Sequence, residues 1–245
     1  MFRTVGVAAA AGVAVVIAMP YLERLLHRMT AKVKLQYFDI AGLGEPIRYA
    51  LAIAGVDFED ARFANRDEFL AKKPTLRFGQ VPYLEVDGKE LFQSCAILRF
   101  IGRYFDASLY PADAAMAVQV DAFLDQVKDM RVGLDVAKYK ERYGFPESVL
   151  HEGNAQIVID YWRTVTLPRH LGFFDKALAD SPTNYLAGSA APTVADIFLA
   201  ITLKAFAAMS PPPAPYSAKL QALVDGVYSH PAVVAFIAQE RKGKK

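Results

Sequence analysis

One cysteine, Cys95, and four histidines are all that 245 residues hold of the commonest soft and imidazole ligands. A lone cysteine cannot close an internal disulfide and leaves no Cys-x-x-Cys pair, which excludes a disulfide framework and a thiolate zinc site. His27, His151, His170 and His230 are scattered, with no spacing that sets two ring nitrogens on one helix face, so no metal is expected. Excess charge is also lacking: a formal net charge of +2 leaves no global footprint for nucleic acid. With 53% hydrophobic and 22% charged residues the chain is neither disordered nor fibrous, and its length suits two domains or one with an appendage.

Residues 5–22 lack charge altogether and are rich in Ala and Val. As a helix they would reach roughly 27 Å, close to the hydrocarbon thickness of a bilayer. Three readings stay open: a retained membrane anchor, a secretory signal cleaved after Ala18, or an organelle-targeting leader. Arg24, Arg28, Lys32 and Lys34 downstream outnumber Arg3 and the amino terminus upstream, which by the positive-inside tendency keeps the rest of the chain facing the cytoplasm. Met29 opens a stretch that would also serve as an ordinary start. Residues 1–31 are therefore set apart as a hydrophobic leader.

From there the periodicity changes. Residues 33–38 alternate as a strand; Pro46 suits a first helical turn, with Ile47, Ala50, Leu51 and Ala54 at helical spacing and Gly55 as the stop. Residues 56–63 read as a second strand, 66–73 as a short helix or ordered loop stopped by Pro74, and 81–86 and 89–92 as a hairpin about Asp87-Gly88, a pair that favours a type I′ turn. Ser94 is expected to cap a helix carrying Ala96, Ile97, Phe100, Ile101 and Tyr104. The order is β-α-β-α-β-β-α over residues 32–107, with a crossover between two parallel strands. Beyond 108 no useful strand alternation remains, and helices are expected over 114–140, 146–163, 167–179, 193–209, 218–227 and 231–239. The fold class is α/β plus all-α: a thioredoxin-like N-terminal domain, then an all-helical C-terminal domain over 108–245.

Five motifs fall in register across these two units: Lys34-Leu-Gln-Tyr37-Phe, Gly44-Glu-Pro-Ile-Arg48, Phe78-Gly-Gln-Val-Pro82 running to Gly88, Gln93-Ser94, and Ala195-Asp196. In order and spacing they resemble the sigma-class pattern of the soluble glutathione transferases, over roughly residues 32–239. The resemblance implies glutathione as co-substrate, no metal, a small hydrophobic electrophile as second substrate, and a homodimer. It implies a catalytic role for Tyr37, donating a hydrogen bond to the glutathione sulfur. Phe69, Lys73, Gln80, Val81, Pro82, Gln93, Ser94 and Asp129 would join Tyr37 in holding the peptide. A cis Pro82 would let Val81 pair with the cysteinyl backbone like an added strand. Ser94 and the positive end of its helix would favour the γ-glutamyl carboxylate, and Lys73 the glycyl one.

Phe69 stands where the family often has tryptophan. Leu43 stands where sigma enzymes commonly have arginine, which bears on how strongly the thiol is activated. Asp129 either reaches a partner's glutathione amine or is a solvated helix carboxylate. Cys95 is expected as a small buried residue, and Thr193 with Asp196 as a capping pair. Phe38, Ile40, Leu43, Met130 and Leu134 are expected to wall an apolar pocket between the domains. The activity implied is conjugation, with a prostaglandin-type isomerase, a peroxidase or a non-catalytic relative as alternatives.

Overall fold

The computed structural model describes residues 28, 30–209, 212 and 214–243. The uncharged run 5–22 lies outside them, as do the side chains of the basic end from 241. Among the described residues no single helix is long and apolar enough to cross a membrane; the one pair that passes jointly is bent by 65°.

Four strands make one sheet, ordered β2-β1-β3-β4: β1 Val33–Phe38, β2 Glu59–Phe63, β3 Tyr83–Val86 and β4 Lys89–Phe92. β1 runs parallel to β2 and antiparallel to β3, so the expected crossover is present, and it is carried by α1, Glu45–Ile53. Along β1 the alternation is regular: Val33, Leu35 and Tyr37 are buried, while Lys34, Gln36 and Phe38 are half-buried. This places Tyr37 on the core face at the end of its strand. Pro46 occupies the first turn of α1, and Gly55 follows its end in the left-handed region (φ 65°), letting Val56 N–H close onto Leu51 O at 3.0 Å. That C-terminal turn uses up residues 54–56, so β2 begins only at Glu59 rather than at 56.

Asp87 and Gly88 both have positive φ, 49° and 78°, as a type I′ turn requires, and Val86 pairs with Lys89 across it. The helix after β4, α3 Ser94–Tyr104, differs from expectation at its start. Gln93 (φ 71°) holds the capping position without a side-chain bond, and Ser94 is the first helical residue.

The remaining elements are helical: α4 Ala114–Lys138, α5 Glu152–Tyr161, α6 Leu167–Asp180, α7 Val194–Met209, α8 Ala218–Tyr228 and α9 Pro231–Gly243, with α2 Arg66–Lys72 belonging to the sheet unit. α4 ends two residues before the expected 140, in a tight turn over Lys140–Tyr143 closed by left-handed Gly144 (φ 81°). α5 starts later than 146, because Pro146 O accepts from the N–H groups of Val149 and Leu150 in a separate turn. A widened π turn, Trp162–Thr166, carries α5 into α6 where a break was expected. There Trp162 is buried, donating its indole N–H to Met130 O at 2.6 Å and meeting Phe206 edge-on at 4.7 Å.

α7 packs against α1 and α3 and so joins the two units, with Val194 N–H bonded to Leu109 O at 2.9 Å. Fully buried Asp196 accepts from Leu186 N–H (2.8 Å), Thr193 N–H (2.8 Å) and the Thr193 hydroxyl (2.6 Å), so this pair caps α7 and ties down the preceding loop. Cys95 is buried and its thiol is pushed up by that burial, the opposite of what an activated nucleophile needs.

Candidate active site

The loop between β1 and α1 is wrapped around Tyr37. Leu43 N–H donates to the Tyr37 hydroxyl oxygen at 3.0 Å. Gly44 is required for this approach: a Cβ there would overlap the ring and lie 2.8 Å from Tyr37 Cγ. The loop is in turn held by Arg48, which is 1% exposed. Its guanidinium donates to Ile40 O (2.9 Å), Phe38 O (3.1 Å), Asp60 (2.9 Å) and Glu45 (3.1 Å), and lies 5.9 Å from the Tyr37 ring centre. Burial raises the Tyr37 phenol above its ordinary value, against the lowering effects of the Leu43 N–H, Arg131 and Arg48. The hydroxyl is therefore neutral at physiological pH. Since it accepts from Leu43, its own proton is available to another acceptor.

Beside this loop opens a shallow cleft lined by Leu43, Gln80, Val81, Pro82, Gln93 and Ser94 together with Phe78, Phe92 and Arg142. The Val81–Pro82 bond is cis. The ladder with β1 ends at Tyr83–Gln36, so Val81 lies beyond the paired part of β3. Gln93 O takes the first bond of α3, from Ile97 N–H at 2.9 Å, and the Ser94 end of the helix faces this cleft with unspent main-chain donors.

Most of the expected peptide-binding residues thus converge. Lys73 lies at the margin: a Cβ on Gly79 would meet its Cε at 3.5 Å, but it does not line the cleft. Phe69 is half-buried and packs edge-on against Phe38 (5.1 Å) and Phe63 (5.6 Å). Tyr37 is not itself a lining residue; its hydroxyl adjoins the cleft through Leu43, which lines it and whose N–H it accepts. Asp129 is exposed on α4, outside the cleft.

The apolar wall needs correction. Met130 and Leu134 are 0% and 2% exposed and belong to the helical core, where their i, i+4 spacing turns them away from the opening. Phe38 packs into the Phe63–Phe69 cluster, and Ile40 is exposed at 59%. Of the five residues only Leu43 lines the cleft, and its apolar partners are Phe78 and Phe92, 5.8 Å apart edge-on.

The motifs also missed three residues from the helical domain: Arg131, whose charge works to lower the Tyr37 phenol, Tyr139, whose phenol works the other way, and Arg142 in the cleft. A signal existed, since 131, 135, 139 and 142 follow helical spacing along one face of α4 and its terminal turn. Among the described residues no group of three or more His, Cys, Asp or Glu is placed to hold a metal ion.

A thioredoxin-like sheet unit with a buried strand-end tyrosine and a cis-proline cleft at a helix start, backed by an all-helical domain, defines a two-domain transferase fold. The chain belongs to the glutathione S-transferase family: residues 33–103 match its N-terminal domain and residues 150–240 its C-terminal domain. Glutathione S-transferase 1 of Ascaris suum is 36% identical over 210 residues, 85% of this chain and 97% of that one. Among solved structures, prostaglandin synthase D of Nilaparvata lugens superposes with a TM-score of 0.73 at 30% identity, covering 84% of this chain and 97% of that chain. The glutathione S-transferase of Ascaris lumbricoides gives 0.65 at 34%, covering 85% and 97%. The protein is a glutathione transferase.

Proposed function

We propose that the cleft binds glutathione with its γ-glutamyl end at Gln93 and Ser94, its cysteinyl backbone along Val81 beside Pro82, and its glycyl end toward Gln80, Lys73 and Phe69. The thiol then sits at Tyr37. A free thiol with a pKa of about 8.5 is mostly protonated at neutral pH, and each unit of lowering corresponds to about 1.4 kcal/mol of preference for the thiolate. Tyr37 supplies that preference by donating its hydroxyl proton in a hydrogen bond to sulfur. The thiol proton is released to solvent, the thiolate lone pair attacks an electrophilic carbon of an apolar substrate, the carbon–sulfur bond forms, and the leaving group departs with its bonding electrons. The observation that carries this reading is the neutral Tyr37 hydroxyl, already accepting from Leu43 N–H beside a cleft that gathers Gln80, Val81, Gln93 and Ser94.

The motif spacing supports a sigma-class enzyme of two units, 32–107 and 108–245. It acts as a homodimer in which Asp129 meets the partner's glutathione. Residues 1–31 then anchor it to a membrane with the enzyme facing the cytoplasm; carbonate-resistant sedimentation of the full chain, lost on deletion of 5–22, is the expected result. A second reading, glutathione-dependent isomerisation of a prostaglandin-type endoperoxide, is favoured by the similarity to the Nilaparvata lugens prostaglandin synthase D.

Conjugation of glutathione to a generic chloronitroarene tests the main reading. The chain from Met29 should turn over, and Tyr37→Phe should lose about 10- to 100-fold, the worth of a hydrogen bond to a charged group. Tight glutathione binding with no turnover in either protein would remove conjugation and leave the isomerase assay to decide.

A further inference from the structure

Arg48 holds the loop between β1 and α1, and what aims Arg48 leads into the helical domain. Its Nη1 donates both to Ile40 O (2.9 Å) and to the Glu45 carboxylate (3.1 Å). Glu45 opens α1, so Arg48 and Tyr49 follow at i+3 and i+4 on the same helix face. Tyr49 is 3% exposed, and its hydroxyl shares hydrogen bonds with the Glu45 carboxylate and with the hydroxyl of Tyr228. Burial raises both phenols, Tyr228 to about 12, so each keeps its proton at physiological pH. With one proton per phenol and an Arg48-paired carboxylate that only accepts, Tyr49 donates to Glu45 and Tyr228 donates to Tyr49. Tyr228 ends α8, and its ring meets that of Tyr49 edge-on at 5.6 Å. Phe236 of α9 lies edge-on to the same Tyr49 ring at 6.1 Å, and Lys204 Nζ of α7 stands 5.4 Å from the Tyr228 ring centre. Three helices of the second domain therefore fix the far end of these bonds.

We propose that Tyr228 is a positioning residue for thiol activation: through Tyr49 and Glu45 it fixes the Arg48 guanidinium, and so the loop whose Leu43 N–H bonds to Tyr37. The proposal rests on the reading of Tyr37 as the donor to the glutathione sulfur. The bonds run without a gap from Tyr228 through Tyr49, Glu45 and Arg48 to the carbonyls of Ile40 and Phe38, two to five residues before Leu43. A donor on the Tyr49 oxygen polarises its own O–H toward Glu45. Without the Tyr228 hydroxyl that donor is lost, the Tyr49 proton is held less firmly on Glu45, and Glu45 can turn from the nitrogen that holds Ile40. Docking of the helical domain then sets the geometry of the catalytic hydroxyl without touching either substrate.

The test is a pH titration of bound glutathione by thiolate ultraviolet absorbance, with conjugation kinetics, on the full chain. Wild type, Tyr228→Phe, Tyr37→Phe and the double variant are compared. Tyr228→Phe keeps the ring and removes only the hydroxyl. It should raise the bound thiol by about half to one pH unit and lower kcat/KM about three- to tenfold below that pKa, the range one neutral hydrogen bond spans. Glutathione affinity should stay within about twofold. In the Tyr37→Phe background the same change should add nothing, because its effect passes through the Tyr37 hydroxyl. Should Tyr228→Phe fail to fold, Glu45→Gln breaks the same chain one step nearer Arg48 and is read in the same way. An unchanged thiol titration would overturn the proposal while leaving Tyr37 its role. An equal loss in both backgrounds would mark a general loosening of the fold and would also overturn it. If wild type and Tyr37→Phe titrate alike, the reading of Tyr37 falls and the positioning role falls with it.

Discussion

The main-chain N–H of Leu43 donates a 3.0 Å hydrogen bond to the hydroxyl oxygen of Tyr37. A donor on the phenol oxygen polarises the O–H that remains, so the phenol becomes a better donor toward sulfur. Position 43 lacks the arginine common in the sigma pattern, but this contribution comes from the backbone and survives any side chain other than proline. Leu43→Ala should therefore leave the ionisation of bound glutathione within a few tenths of a pH unit, and Leu43→Arg should lower it by up to about one unit through added positive charge. Thiolate ultraviolet absorbance against pH measures both.

Gly44→Ala places a Cβ against the Tyr37 ring, 2.8 Å from Cγ. Neither the strand-held ring nor the first turn of α1 can move freely, so the expected cost is about 1–3 kcal/mol by denaturant unfolding, with activity falling further as Tyr37 is displaced. Unchanged stability would mean that the loop relaxes.

Arg48 organises the loop from within. Arg48→Met leaves the carbonyls of Ile40 and Phe38 without their buried donor and Asp60 with Arg62 alone, and the expected loss is about 1–3 kcal/mol in equilibrium unfolding. Arg48→Lys should recover little, because one ammonium cannot reproduce the guanidinium's planar fork.

Asp121 links α4 to α3, accepting from Arg99 at 2.5 Å and from the Tyr110 hydroxyl at 2.8 Å. Burial works to raise its carboxyl, but the Arg99 and Tyr110 bonds outweigh it and the pKa lies below the ordinary aspartate value. A depressed carboxylate adds stability above its unfolded pKa and loses it as pH falls through the folded one. The groups are partly exposed, so Asp121→Asn should cost less than about 1 kcal/mol at neutral pH. That difference should shrink as pH falls from the ordinary aspartate range through the lower folded pKa, as followed by unfolding across a pH series.

Much of this architecture was legible in the chain. The alternation of β1, the Asp87-Gly88 turn, Pro46 and the Thr193–Asp196 pair are local patterns with one dominant structural solution, and each formed as expected. The cleft residues on the sheet unit were legible for the same reason, since they sit at the ends of regular elements. The contribution of the helical domain was not. Helical spacing shows that Met130 and Leu134 share a face, but not whether that face meets Trp162 or a substrate. Likewise a capping serine before an apolar run reads as a cap, yet positive φ at Gln93 shifts the helix start by one residue and puts Ser94 inside it. These outcomes depend on tertiary packing, which no local pattern encodes.

The most direct measurement of the central claim is the pH titration of glutathione bound to the wild-type chain and to Tyr37→Phe. With the phenol raised by burial above its ordinary value, Tyr37 stays a neutral donor across the range in which the thiol titrates. The account predicts a bound thiol clearly below its free value of about 8.5 in the wild type and a return toward that value in Tyr37→Phe. Identical titration curves in the two proteins would contradict it.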